Sequence, residues 1–598
     1  MRDVLAKADL LAVDCETYDG DGGKGAALDP WRGKMAGFSV STREHHFYVP
    51  IDHPRGAHIH TISDYLFDVL EEKPLVMHNA PFDCKWFYVH YELNLIDNLH
   101  ADTRIMAMAL DENRSHALKE LCTDWLRMPG DNFDELFGNT PFNEVPLEAA
   151  LVYAAGDTHK TLTLYDWMLR QFDRREDLRR LKRLVFEIEM PVCRQFIWSD
   201  LKGIRFDVDA ARRLDAELAE EEKQLVAEIT ELFGEEINLN SPSQLQKKLF
   251  VDLRLPDLDK GSTGVQTLKK LANKHPVIPK ILEYREVGKL RQAFTSKLPG
   301  EVKEDGKIHP WHNTWGAATG RFTCNSPNTQ QIPAKRPEIR HLFTASDDSK
   351  ILVSIDYSQI ELRVLAHYAK DPVLIEAFEK GRDIHSTTAS QIFGVPYEQI
   401  EAYKDVDGSK EQRFRKQSKT INFGIVYGMG AGKLSDTLGI TREEAQTIIN
   451  GYFRAYPGIK RFMDYQHRMV MQKGYVVDLF GRKRRLHSEV KSEDKWRVFA
   501  AQRQAGNFPI QSSAGGILKK AIVDLGRILP RMGVDILLAV HDEIVFECPR
   551  DISREDLYLI RDTMANAVKL LVPIQCDIEI YPHRWAEKVD EEEWFKGA

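Results

Sequence analysis

Hydrophobic alternation and helical periodicity divide the chain into three stretches. Leu10–Val13, Ala36–Thr42 and His46–Pro50 read as strands, with a glycine-rich turn between Gly20 and Gly25. Apolar positions three and four apart then predict helices over Ser63–Glu72, Asp83–Tyr91, Asp102–Leu110, Leu118–Leu126 and Leu147–Leu169. This is α/β order. The charged segment Arg174–Arg183 leads into Leu184–Ile197, which places a boundary near 185. From 186 to about 310 the pattern is mainly helical, with long charged stretches such as Ala210–Phe233. Beyond 310, strands alternate with helices as in a large α/β or α+β domain.

Two apolar runs of that last stretch end in acid. Asp356 lies in Ile351-Leu-Val-Ser-Ile-Asp356-Tyr357-Ser-Gln-Ile-Glu361-Leu-Arg363, and Asp542 in Leu537-Leu-Ala-Val-His541-Asp542-Glu543-Ile-Val-Phe-Glu547, 186 positions later. A carboxylate at the tip of a buried strand is costly to desolvate unless a cation compensates it. Two such tips brought together make a seat for divalent metal with positions left open for phosphate.

Length and composition set the frame. At 598 residues the chain is too long for one core, so several domains are expected. No apolar run approaches the ~20 residues of a membrane span, and the short Leu10–Val13 run is no signal peptide. Seven scattered cysteines without a C-x-x-C pair fit a reduced, intracellular protein lacking structural zinc. The net charge of −9 argues weakly against a nucleic-acid partner. Locally the balance reverses: Lys260–Lys297 holds nine Lys/Arg against two Glu, and Arg482-Lys-Arg-Arg485 forms a second cluster. Such patches neutralise phosphates or serve as solvated faces.

Near the N-terminus, Asp14 and Glu16 are two apart on a strand and project from one face. Asp83 closes Asn79-Ala-Pro-Phe-Asp83, and Tyr153 and Asp157 share one side of a helix. Four acids and a tyrosine can hold two metals and orient a water for phosphodiester hydrolysis. In this order and spacing they resemble the DEDDy class of 3′–5′ exonucleases. That resemblance implies Asp14, Glu16, Asp83 and Asp157 as metal ligands and Tyr153 as the residue aligning the attacking water.

In Arg415-Lys-Gln-Ser-Lys419-Thr-Ile-Asn-Phe423-Gly-Ile-Val-Tyr427-Gly428, every fourth position builds a stripe, cationic first and aromatic later. It drifts about 40° per step around the helix. Cations there can hold a triphosphate, while Phe423 offers a ring to base and sugar. As a plain amphipathic helix, the same segment would leave Arg415 and Lys419 solvated. Thr319-Gly-Arg321-Phe and Arg503-Gln-Ala-Gly-Asn507-Phe-Pro-Ile-Gln511 set polar side chains beside small residues, which suits minor-groove contacts that sense shape rather than sequence.

The Asp356 block, the Arg415–Gly428 helix and Val540-His-Asp-Glu543 resemble motifs A, B and C of family A DNA polymerases. Pro327-Asn328 and Gln330-Gln-Ile-Pro333 stand where that family has P-N-L-Q-N-I-P. The resemblance covers essentially the whole chain. It implies an RNase H-like exonuclease domain over 1–185 and a right-hand polymerase over 186–598. The thumb would occupy about 205–300, the palm about 310–370 and 490–598, and the fingers about 371–489.

It further implies that Asp356 and Asp542 bind two Mg²⁺, with the Tyr357 carbonyl completing one shell and Glu543 in support. A second Mg²⁺ pair would sit in the exonuclease site, with Mn²⁺ as a substitute. His385, Arg415 and Lys419 would grip the triphosphate, and Lys419 would pass a proton to pyrophosphate. Glu361 would be a steric gate against ribose, with Tyr427 closing the wall near the templating base. Phe423, where some relatives carry Tyr, implies poor use of dideoxynucleotides. Arg321, Arg503, Asn507, Gln511, His541, Lys289 and Lys297 would contact primer–template DNA. Two departures stand out: Ala539 replaces a common Gln, and Trp315-Gly316 replaces T-x-T, so template contacts there are expected to differ.

The expected substrates are primer–template DNA and dNTPs, with a replicative helicase or single-strand-binding protein as further partners. A monomer without membrane attachment or a thioredoxin-binding insertion is expected in the cytoplasm, that of a host cell if the source is viral. The domain content, with no 5′-nuclease, points to a replicase of a phage or similar element. Two other enzyme readings and one non-enzymatic reading compete. A single-subunit RNA polymerase shares the two aspartates but conflicts with Glu361 and the exonuclease. A nuclease with a DNA clamp would show no synthesis, and a replication-fork scaffold would show no activity.

Overall fold

The computed structural model describes residues 1–56, 59–130 and 132–597. The first sheet consists of β1 (Leu11–Tyr18), β2 (Lys34–Ser41), β3 (His46–Pro50), β4 (Leu75–Met77) and β5 (Leu99–Asp102), in the order β3-β2-β1-β4-β5. β1, β2 and β3 pair antiparallel, whereas β4 and β5 join parallel to β1. β1 outruns the expected Leu10–Val13 because β2 pairs along it from Ala12 to Tyr18. Asp14 and Glu16 therefore stand inside a strand, beyond the fully buried Leu11 and Ala12. Helices Ala80–Tyr91, Thr103–Leu110 and Leu147–Asp173 cover the sheet. Pro81 sits in the first turn of its helix, where no backbone donor is lost.

The chain runs on as helix from Glu176 through Lys202, across residue 185. Helix Val208–Phe233 then packs along Val277–Leu290, burying Leu218, Leu225 and Ile229 against Ile278 and Ile281.

A second sheet orders its strands Asp535–Val540, Glu543–Pro549, Lys350–Tyr357 and Cys576–Tyr581, all antiparallel. Strand alternation splits its side chains between two cores. Ile351, Val353 and Ile355 join Ile517 and Leu518 of the long helix Lys495–Leu525, while Leu352 and Val545 face the core of the helical arm. Helices Ile384–Phe393, Lys410–Val426 and Arg442–Ala455 pack beside this unit. Among the described residues no helix is long and apolar enough to cross a membrane.

Buried charge holds the two halves together. Glu189 meets both Arg482 and Lys519, the latter at 2.7 Å, and all three side chains are sealed from solvent. Asp200 receives Lys85 at 2.5 Å and His312 at 2.6 Å. The Arg482–Arg485 cluster is thus neither a phosphate patch nor a solvated face. Arg482 is also paired with Asp478 at 3.0 Å, Lys483 with Asp177, and Arg485 with Glu112 at 2.5 Å. Trp315 is buried in the same joint, its ring 5.4 Å from Arg482 and from Lys519.

Candidate active sites

The first site forms on β1 and the helices over it. Asp14 and Glu16 share a face of the strand, and Asp83 is brought against it, accepting from the Cys15 amide at 2.8 Å. Asp157 comes from the long helix Leu147–Asp173. Burial lifts the Asp14 and Glu16 carboxyls well above the carboxylate range, and neighbouring acids add to it. Asp83 is pushed up to about 7, again mainly by burial. One oxygen of Glu16 is buried without a partner.

A residue not read from the sequence stands among them. Lys119 donates to the Tyr153 hydroxyl at 2.7 Å, lies 3.9 Å over its ring and reaches Asp157 at 3.4 Å. Lys160 reaches the other Asp157 oxygen at 3.5 Å. Phe133, Phe137 and Phe142 wall the Tyr153 ring. Among the described residues no three His, Cys, Asp or Glu side chains form a ready-made cage for an ion. Lys119 and the Cys15 amide already engage two of the four acids. The donor set still fits a hard divalent cation: all-oxygen, crowded and short of positive charge.

The second site sits at one end of the second sheet. His541 adopts φ +59° in the two-residue connection between Asp535–Val540 and Glu543–Pro549, and this places Asp542 at the hairpin tip. The Tyr357 amide donates to the Asp542 carbonyl at 3.2 Å, which joins the two strand ends. Asp356 pairs in register with Glu543 on one side and Asp577 on the other. Its carboxyl opens to the cleft but is pushed up to about 7, first by partial desolvation, then by Glu543 and Asp542. Asp542 is raised too, chiefly by burial, against the opposing pull of Arg321. Arg340 reaches Glu543 at 3.5 Å, and the other Glu543 oxygen is buried without a partner. These oxygens likewise suit a divalent cation.

Gln359, at φ +54°, caps helix Ile360–Ala369 and sets Glu361 in its first turn. Glu361 is 9% exposed, one oxygen bonded to Arg321 and the other to the Tyr427 hydroxyl. Helix Lys410–Val426 presents Arg415, Lys419 and Phe423, with Tyr427 just past its end. Arg415 binds Asp383 at 2.5 Å, whereas Lys419 is exposed and makes no ion pair among the described residues. His385 accepts from Asn422 at 3.0 Å, and its ring lies 5.7 Å from Phe423. Burial, with Arg415 and Lys419 nearby, lowers His385 to about 4 and keeps it neutral.

The nucleic-acid candidates divide. Arg503, Asn507 and Gln511 follow one face of helix Lys495–Leu525, and an Asn507 oxygen is buried without a partner. Gln511 lies against the Tyr427 hydroxyl. His541 is exposed at the hairpin. Lys289 and Lys297 line a cleft with Asn328 and Gln331. Arg291, from the same basic stretch, is held internally by Asp215 at 3.2 Å and Glu222 at 2.6 Å. Sequence reading also passed over Asp577 and Arg340. The Asp577-Ile-Glu579 alternation was visible, but not its register against Asp356.

Comparison with known proteins fits this geometry. The family model described as DNA polymerase family A matches residues 208–587, and that described as 3′–5′ exonuclease matches residues 2–173. DNA polymerase I of Chloroflexus aurantiacus is 34% identical over 621 residues, covering 98% of this chain and 63% of the relative. For DNA polymerase I of Pseudomonas aeruginosa the identity is 33%, covering 95% and 63%. Thermostable DNA polymerase I of Thermus aquaticus is 39% identical, covering 68% and 49%. The chain therefore spans less than two thirds of the length of these relatives. A solved structure described as the POL domain of Pol1 from M. smegmatis, in complex with DNA primer-template and dNTP, superposes with a TM-score of 0.85. Its identity is 26%, over 98% of this chain and 97% of that one. The chain belongs to DNA polymerase family A, and its residues 2–173 form a 3′–5′ exonuclease family domain.

Proposed function

We propose that the protein is a template-directed DNA polymerase that extends a primer 3′ end with dNTPs and proofreads through a separate 3′–5′ exonuclease site. The observation that carries this reading is the joining of the Asp356 and Asp542 strand ends beside a Glu361 carboxylate clamped by Arg321 and Tyr427. The palm is the second sheet with its long helix, the fingers carry Lys410–Val426, and the thumb is the pair Val208–Phe233 and Val277–Leu290.

Asp356 and Asp542 would hold Mg²⁺ in the polymerase site, and Asp14, Glu16, Asp83 and Asp157 in the exonuclease site. Bound there, the ions lower the pKa of a hydroxyl or water nucleophile and neutralise phosphate charge. Lys419, free of an internal partner, meets the triphosphate, and Arg415 joins it by exchanging Asp383 for phosphate. Arg321, Asn507 and Gln511 follow the minor groove of the nascent pair. In the exonuclease site, Tyr153 orients the attacking water. Gel-resolved extension and degradation of a labelled mismatched primer, with and without dNTPs, tests the whole reading. Degradation alone, or no activity, would refute synthesis.

Two predictions arise here. Because both oxygens of Glu361 are tied, the gate cannot swing aside for a 2′-hydroxyl. Glu361→Ala should raise the ratio of ribo- to deoxynucleotide kcat/KM about a hundredfold. An unchanged ratio refutes the gate. Lys119→Met keeps the stem but releases Tyr153 and Asp157. It should slow hydrolysis ten- to a hundredfold, the usual effect of losing a group that orients metal-site residues, and leave extension intact.

A further inference from the structure

The helix that carries Arg503, Asn507 and Gln511 does not end its polar row there, and the row becomes exposed from Arg503 on. Continuing towards its N-terminus at intervals of four and three residues, the same face presents Phe499 and Trp496. Trp496 is 77% exposed and Phe499 51%, an unusual state for two large aromatic rings side by side. Their centroids lie 6.4 Å apart with planes inclined at 73°. The helix start that carries the pair is fixed, because the Asp494 side chain caps it and accepts from the Trp496 amide at 2.8 Å. Lys495 and Arg497 are exposed beside it, and Arg503 makes no ion pair among the described residues.

We propose that Trp496 and Phe499 form a stacking platform for the unpaired template strand ahead of the polymerase site. This rests on the polymerase reading above. Position along the helix selects this occupant. Gln511 lies against Tyr427, and a Cβ on Gly428 would come within 2.6 Å of Arg503, so the end of the finger helix rests on this helix at Arg503. Base pairs are read on the Gln511 side of that contact. Trp496 lies about 10 Å further on, past the contact, where the template has no partner strand. Arg484, bonded to Gln504 at 3.1 Å, covers the adjoining flank and leaves the Arg503–Phe499–Trp496 face open. Aromatic faces beside cations are what single strands bind, by stacking that tolerates any base.

The test compares affinities for two primer–templates, one with a long unpaired template and one with a single unpaired nucleotide. A 2-aminopurine placed in the unpaired template reports stacking directly. The unaltered protein should prefer the long template by about tenfold and quench the probe. Trp496→Ala/Phe499→Ala should abolish both effects. Trp496→Phe should keep part of them, and Tyr465→Ala, another exposed aromatic, should keep them fully. Retention of the preference and of the quench in the double variant overturns the proposal. So does a loss confined to duplexes with a frayed primer end and no unpaired template, which would make the primer the occupant. Failure of the polymerase reading shows separately, as absence of extension by the unaltered protein on the same duplexes.

Discussion

Asp542→Asn should stop primer extension while leaving degradation of the same primer intact, and Asp14→Ala should do the reverse. The substitution keeps the size of the side chain and removes its charge at the hairpin tip. Burial first, then Glu543 and Asp542, already lift Asp356 to about 7, so the site is crowded with acids that a bound cation would stabilise. On the proposed reading, losing one of two anionic ligands would forfeit several kcal/mol of transition-state stabilisation. About 4 kcal/mol corresponds to a rate about a thousandfold lower. Hydrolysis is spared because its four acids come from β1 and its covering helices, in a different core. Single-turnover rates with and without dNTPs read both activities. Parallel loss of the two activities in either variant would mean one site and not two.

The largest effect on stability is expected at Glu189. Glu189→Ala leaves Arg482 and Lys519 sealed in the joint without their shared partner. Removing one member of a buried ion cluster costs about 3–5 kcal/mol, since the remaining charges stay desolvated. For units of this size that lowers the melting transition by ~10 °C. Adding Lys519→Met to Glu189→Ala should recover part of the loss, because it removes one stranded cation. Scanning calorimetry of the two variants checks this. A single-variant loss below about 1 kcal/mol would show that water or rearrangement relieves the joint.

Much of the candidate site was legible because its signals are local. Acids ending apolar runs mark Asp356 and Asp542, and a four-residue stripe marks Arg415, Lys419 and Phe423. What escaped depends on partners distant in sequence. Arg482–Arg485 look alike along the chain, yet their fate is set by Glu112, Asp177 and Glu189, some three hundred residues earlier or more. Lys119, in Leu118-Lys-Glu-Leu121, reads as an ordinary exposed helix position. Only the fold sets it against Tyr153. The apolar run Leu10–Val13 marks only the start of β1, whose full length is set by pairing with β2 as far as Tyr18.

The most direct test of the central claim is anomalous scattering from Mn²⁺ in crystals of the protein with primer–template DNA and a dNTP. The account predicts manganese held by the carboxylates of Asp356 and Asp542, with Glu361 still bound to Tyr427 beside the sugar. Manganese held by neither aspartate, or by one with the other turned away from the DNA, would contradict it.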